Sequence, residues 1–399
     1  MKQFLPYLYN MLNINHLIMN ISEKFYGHKE IFDNYFLSKD KDPYHNGTWI
    51  PAAKVTFDER NNSKRVEIGD GTINLSYLMT YYLLSDSQTN YSNCLHALYR
   101  LVHNADIACR MKWNIVNIFE PGFFVRDDIS SSDIDSWNTL KIHSGWSSSI
   151  EGIDEDPCFS VFISQDQVWN LIPPIVFSKK TVLKDSMFLI NVLYFIIENN
   201  HTIYNPYYSQ LHHIWTYVPT FNEDKLKPWD RVEDRNKHFK NTIKVKRGAN
   251  NWYFAYGFRK VYEKISGNKL PKFKNFLYSL IYYPLIFLAD KVYYPLFGKW
   301  VKVKETSYYN LAMASGVWYN KKFWERVVKK FNKDGSHWEI VPLMVYQDKE
   351  RIKDIDLINL RLRLEDYPEP KKEGDVNSPI DYMIQYKLFE YVNNHYKCF

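Results

Sequence analysis

The chain has 399 residues, a formal net charge of +6, 45% hydrophobic residues and 17% aromatic residues, enough apolar sequence for one large closed architecture or two or three ordinary domains. The charge is modest, basic residues are spread among acidic ones, and pairs such as Lys329-Lys330 and Lys371-Lys372 are short, which suits solvated faces and argues against a nucleic-acid partner. Cys94, Cys109, Cys158 and Cys398 form no CxxC and have no His at ligand spacing, which argues against a zinc site or disulfide framework, so neither metal nor cofactor is expected.

The 32 Tyr and 12 Trp carry two readings. They follow the codon bias of an AT-rich genome, or they supply flat apolar faces with a polar edge for sugars and wet concave sites. Met1-Lys2-Gln3-Phe4-Leu5-Pro6 opens no secretory signal, because Asn10, Asn13 and Asn15 interrupt the apolar stretches and no small-residue cleavage site follows. A cytoplasmic location is expected, or a periplasmic one if translation starts upstream.

Residues 1–45 read as amphipathic helix. Residues 46–71 form an excursion: Trp49-Ile50-Pro51, Lys54-Val55-Thr56-Phe57 and Gly69-Asp70-Gly71 suggest short extended segments and a turn. A helical phase starts at Thr72, with Leu75, Leu78, Met79, Tyr82 and Leu83 at spacings of three and four. Ser85-Asp86-Ser87 interrupts it, and a second helix over about 92–108 completes a helical hairpin.

Residues 113–160 form a second, irregular excursion, long enough to be functional. A helix resumes at Gln165, with Pro173-Pro174 implying a kink or early stop. Another apolar helix runs to Ile197, and 201–228 is aromatic and turn-rich. Helical patterns follow over 250–265, ending at a Gly267 cap, and over 275–297, 307–319, 321–331, 336–346 and 379–396. Residues 366–378 read as a polar linker or surface loop.

The most membrane-like run, 276–289, is too short to span and contains Tyr282, Tyr283 and Pro284. A buried core helix broken at Pro284 is the preferred reading, and interfacial attachment the alternative; no stable membrane span is expected. No linker divides the chain. The expectation is one all-α domain over 1–399, in which antiparallel helix pairs close into a toroid with long loops gathered at one end. No repeat of identical sequence marks the pairs.

Two stretches concentrate chemistry. Phe162-Ile163-Ser164-Gln165-Asp166-Gln167-Val168-Trp169 sets a carboxylate, amides and an indole beside an apolar run. A carboxyl in a partly apolar pocket rises toward neutrality and becomes a proton donor, so Asp166 is a candidate general acid and base. Ser164 or Asp166 equally suits a helix cap. Asp127 and Asp128 are candidates for a second carboxylate, or for an ion pair with Arg126. Arg247 offers a fork of donors for a sugar carboxylate or hydroxyls, or a loop tie. Trp252, Trp169, Trp146 and Trp215 are candidates for stacking on sugar rings, with core packing the alternative. Gln167 and His213 complete the candidate binding set.

Arg247-Gly248-Ala249-Asn250-Asn251-Trp252-Tyr253-Phe254-Ala255-Tyr256-Gly257-Phe258 resembles the Arg-Gly-x-x-Trp segment of the unsaturated glucuronyl and unsaturated rhamnogalacturonyl hydrolases, with one more residue before the Trp. Asp166-Gln167-Val168-Trp169-Asn170-Leu171-Ile172-Pro173 resembles their catalytic-Asp segment, and Phe124-Val125-Arg126-Asp127-Asp128 resembles their earlier acidic stretch more weakly. Arg126 stands where that family has His, and a double Pro follows the Asp166 helix start. The resemblance implies an (α/α)6 toroid of six hairpins, with a few short strands in loops, and a funnel-shaped site at one end. It also implies hydration of a vinyl ether with one Asp as acid and base. The functional expectation is a carbohydrate-active hydrolase on oligosaccharides or polysaccharide fragments, including those with uronic acid residues. A catalytically silent glycan-binding protein of the same fold is one alternative. A polysaccharide lyase using Tyr207, Tyr208 or His213 is another, and a helical scaffold with no sugar role a third.

Overall fold

A computed structural model describes residues 21–37, 49–58, 63–68, 71–107, 139–142, 165–178, 183–198, 204–209, 214–219, 255–288, 311, 313–316 and 321–396. Residues 58, 63–68, 103–107, 139–142, 165, 166, 183–186, 195, 204–209, 214–219, 285–288, 321–323 and 396 are described as backbone. The described chain is mostly helical. Helix α1 covers 21–31 and widens into a π-turn at Phe32–Phe36. The other helices are α2 (Gly71–Leu84), α3 (Gln88–Ile107), α4 (Gln165–Val176), α5 (Leu183–Glu198), α6 (Ala255–Ser266), α7 (Lys272–Leu288), α8 (Lys321–Asp334), α9 (Val341–Gln347), α10 (Leu357–Asp366) and α11 (Ile380–Tyr396). Residues 311 and 313–315, between α7 and α8 in sequence, are helical.

Two kinds of helix alternate along the chain. Helix α2 buries eleven of its fourteen residues, and α4 and α9 are buried nearly all round. Helices α1, α3, α5, α7, α8 and α10 each keep an exposed face. A helix buried on all sides needs apolar neighbours in every direction, whereas an amphipathic one covers a core from outside.

Helices α2, α4 and α6 bring their carboxyl ends together. The Tyr91 hydroxyl, at the start of α3, donates to the Pro174 carbonyl near the end of α4 at 3.0 Å. This brings the carboxyl ends of α2 and α4 together, because only 85–87 separate α2 from α3. Lys264 Nζ, near the end of α6, lies 5.3 Å from the Phe177 ring just after α4. The same Nζ donates to the Ala314 carbonyl at 3.1 Å, while Gly257 near the start of α6 meets Leu311. A Cβ at Gly257 would sit 2.6 Å from the Leu311 side chain, so this close approach needs glycine. Helix α11 packs against α2, and α9 against both.

Six strands occur. Strands β1 (Lys54–Asp58), β2 (Ser63–Ile68), β3 (Thr139–Ile142) and β6 (Gly374–Asn377) make one sheet in the order β3-β2-β1-β6, with β2 and β3 parallel. The register separates two faces. Lys54, Thr56, Asp58, Ser63, Arg65, Glu67, Thr139, Lys141, Asp375 and Asn377 fall on one, and Val55, Phe57, Val66, Ile68, Leu140, Ile142 and Val376 on the other, with Lys64 and Gly374 opposite Phe57 at its edge. Val55 is fully buried, and Phe57 meets Tyr35 of the π-turn edge to face. On the polar face Asp375 accepts from Thr56 and pairs with Lys54. Strands β4 (Tyr204–Ser209) and β5 (Ile214–Pro219) form a separate hairpin.

Several boundaries differ from the sequence reading. The 46–71 excursion is a β-hairpin that belongs to a four-stranded sheet, and β6 lies in the segment read as a polar linker. Helix α9 begins at Val341 rather than 336, because Pro342 lacks an N–H and suits the first turn of a helix rather than its interior. Pro173 and Pro174 leave α4 helical through Val176. Helix α7 continues past Pro284 to Leu288 and is not a core helix: Phe273, Phe276, Leu277 and Leu280 are exposed. Gly267, with φ +73°, follows α6 as the expected cap.

Candidate functional site

Connections of very different length join the helices at the two ends of the buried series. The carboxyl ends of α2, α4 and α6 lead out through 85–87, 177–182 and 267–271, whereas their amino ends are entered from 37–70, 108–164 and 199–254. Helix α11 is entered from 367–379. The sheet is built from these connections: β1 and β2 precede α2, β3 precedes α4, and β6 precedes α11. Pairing of β6 with β1 therefore draws the amino ends of α11 and α2 together beside one sheet, and α4, packed on α2 with its carboxyl end at the same end as that of α2, starts on the same side.

Asp166 is the second residue of α4 and so belongs to this end; its backbone alone is described. Gln167 is fully buried and Trp169 is 4% exposed within the core, so the indole has little ring surface left for a ligand. Asp127, Asp128, Trp146, His213, Arg247 and Trp252 lie outside the described residues.

Trp215 is placed by register. In the β4–β5 hairpin Tyr204 pairs with Pro219, Pro206 with Tyr217, and Tyr208 with Trp215. Directly paired residues share a face, so one side of this ribbon carries four aromatics and two prolines. The opposite side carries Asn205, Tyr207, Ser209, Ile214, Thr216 and Val218. The hairpin lies in the connection that enters α6.

Polar groups that no motif singled out occupy the same end. Thr72 Oγ1, in the first turn of α2, and Ser378 Oγ, just before α11, are buried without hydrogen-bond partners. Buried hydroxyls are ordinarily satisfied, so such atoms mark a place for water or a ligand group. Asp381 lies in the first turn of α11 and accepts from the Tyr367 hydroxyl at 2.9 Å. Burial pushes its carboxyl above the usual value. Its surroundings are those of a clasp. The Tyr367 and Tyr382 rings lie against His28 of α1, whose Nε2 is 3.0 Å from the Pro368 carbonyl, and Lys24 donates to the Glu365 carbonyl. The sequence signal for Asp381 was its place just after Pro379 at a helix start.

Two other polar clusters lie elsewhere. An open cleft of about 450 Å³ is lined by Glu325, Val328, Lys329, Asn332, Lys333, Asp354 and Asn359. Its polar groups already tie α8 to the 3-10 turn Lys349–Asp354 that follows α9, since Asp354 accepts from Trp324 Nε1 and its carbonyl from Asn332. Between α6 and α7, Asn275 Nδ2 donates to Glu263 Oε1 at 2.9 Å, as does the Leu270 N–H at 3.0 Å, and Lys260 donates to Glu263 Oε2 at 2.8 Å. Arg259 donates to Asn275 Oδ1. Burial raises the Glu263 carboxyl, but these hydrogen bonds outweigh it and hold the group below its ordinary value.

Among the described residues no group of His, Cys, Asp and Glu is arranged to hold a metal ion, and no helix is long and apolar enough to cross a membrane. Searches of family models, of curated proteins and of solved structures find no match to the chain.

Proposed function

We propose that the chain is a carbohydrate-active hydrolase whose hairpins close into an (α/α)6 ring, with substrate entering at the amino ends of the buried helices. Support for the ring is the run of buried neighbours α9, α11, α2, α4, α6 and 313–315, in which the late helix α11 lies against the early α2. Closure of the ring further requires 313–315 to lie against α9.

The observation that carries the sugar reading is the ribbon face of Tyr204, Pro206, Tyr208, Trp215, Tyr217 and Pro219 in the connection entering α6. Successive aromatic faces on a two-stranded ribbon suit the apolar faces of pyranose rings. Asp166, at the start of a buried helix on the same end, is the proposed acid and base. For an unsaturated uronide it delivers a proton to the double bond, and its carboxylate then takes one from the water that adds to the neighbouring carbon.

The test is a panel of oligosaccharides with and without unsaturated uronic ends, assayed for product release and for binding. Asp166→Asn is expected to abolish release and leave binding in place. Trp215→Ala and Tyr208→Ala are expected to weaken binding. Binding without release by the unsubstituted protein would favour the silent glycan-binding reading; neither binding nor release would sink both.

A further inference from the structure

Helix α7 turns its larger apolar side chains outward. Its inner side is fixed by Asn275, hydrogen-bonded to Glu263 and Arg259, and by Tyr282, which is 1% exposed. The outer side carries Phe273 (71% exposed), Phe276 (59%), Leu277, Leu280 (55%) and Tyr283. At 100° per residue these positions form one stripe centred opposite Asn275 and Tyr282. Scattered exposed apolar residues are ordinary, but five on one helical stripe mark a surface that something covers.

The charge around the stripe identifies what covers it. Lys272 and Lys274 flank it at the amino end of α7, and Lys269 lies just before them; all three are exposed. From Lys264 to Ala289 the chain has four lysines and no Asp or Glu. Lysines in the first turn oppose the helix dipole, so this arrangement weakens the isolated helix slightly while concentrating positive potential at one end of an apolar ridge. An isolated second copy of α7 would bring no acid to meet those lysines. A convex ridge without a groove also fits a fluid surface better than a preformed protein pocket. A basic helix with one wholly apolar outer face, too short to span, is the pattern of a segment lying in the plane of a lipid headgroup layer.

We propose that the outer face of α7 seats this protein on an anionic lipid bilayer. Phe273, Phe276, Leu277 and Leu280 enter the headgroup–acyl boundary, Tyr283 rests at headgroup level, and Lys269, Lys272 and Lys274 meet the phosphates.

The experiment is co-sedimentation of the full chain with vesicles of phosphatidylglycerol mixed with phosphatidylcholine, and with phosphatidylcholine alone. The protein is expected to pellet with the anionic vesicles and about tenfold or more weakly with the neutral ones, and added salt is expected to release it. Phe276→Ser combined with Leu280→Ser removes two exposed side chains and is expected to weaken binding roughly hundredfold, with the thermal melt unchanged. Lys272→Gln combined with Lys274→Gln is expected to weaken binding to anionic vesicles about tenfold or more and leave neutral vesicles unaffected. A chain that stays in the supernatant with both vesicles overturns the proposal, as does binding that the Ser pair leaves intact. Self-association in light scattering that the Ser pair abolishes, with no vesicle binding, overturns it in favour of a second copy.

Discussion

Helices α7 and α8 do the same architectural job on different terms. Each packs one side on a buried partner, α7 on α6 and α8 on α9. Helix α8 follows the usual division: Trp324, Val327, Val328 and Phe331 are buried, while Glu325, Lys329 and Lys333 are exposed. Helix α7 buries Asn275 and Tyr282 and exposes Phe and Leu. The fold constrains the inner side of an outer helix and leaves the other side free, so the residues there report on what the protein meets.

The contrast can be broken most strongly from the inside of α8. Trp324 is 2% exposed and its Nε1–H donates to Asp354, so Trp324→Ala should cost ~3–5 kcal/mol in a denaturant titration. On α7 the matching inner contact is polar. Asn275→Ala leaves Arg259 and Glu263 short of partners and should cost ~1–3 kcal/mol, with faster amide exchange in α7 than in α8.

The caps sharpen the same comparison. Gly267 after α6 and Gly335 after α8 have φ +73° and +72°, and alanine at either should cost about 1–2 kcal/mol for the left-handed backbone alone. A Cβ at Gly335 also lies 3.2 Å from Arg363 Cδ, whereas one at Gly267 meets nothing within 4 Å. Gly335→Ala should therefore have the lower melting temperature of the two. Smallest of all, Phe276→Ser on the outer side of α7 should change stability by less than ~0.5 kcal/mol, since it leaves the core untouched. A large loss there would mean that the face is covered within the protein.

Much of the helical content was legible because burial imposes a period of three to four, as in Leu75, Leu78, Met79 and Tyr82 of α2. Helix α10 was not. Leu360-Arg361-Leu362-Arg363-Leu364 alternates with period two, although only Leu360 and Leu364 are buried, and Asp356 sets the helix by accepting from the Asn359 N–H at 3.1 Å. Strand β6 was missed because its sequence, Gly-Asp-Val-Asn, has little strand character; its place is set by pairing with β1. The outward side of α7 was visible as an apolar run but read as core, because a helix apolar all round has no period to show which side faces water. For the candidate site, sequence picked out the start of α4 and Trp215. It gave no sign of Thr72 or Ser378, whose interest lies in burial without a partner.

The clasp between α1 and α11 also governs when the molecule can finish assembling. Tyr382 donates to the Ile21 carbonyl across 361 residues of sequence, the Phe25 and Tyr386 rings stack at 4.0 Å, and β1 waits for β6 as its second neighbour. On the ribosome, α2 emerges early, before α11 can cover the side it packs against. The side of α2 that α11 covers stays wet until the intervening chain has been made, which makes the interval before α11 emerges the one in which a chaperone has most to hold.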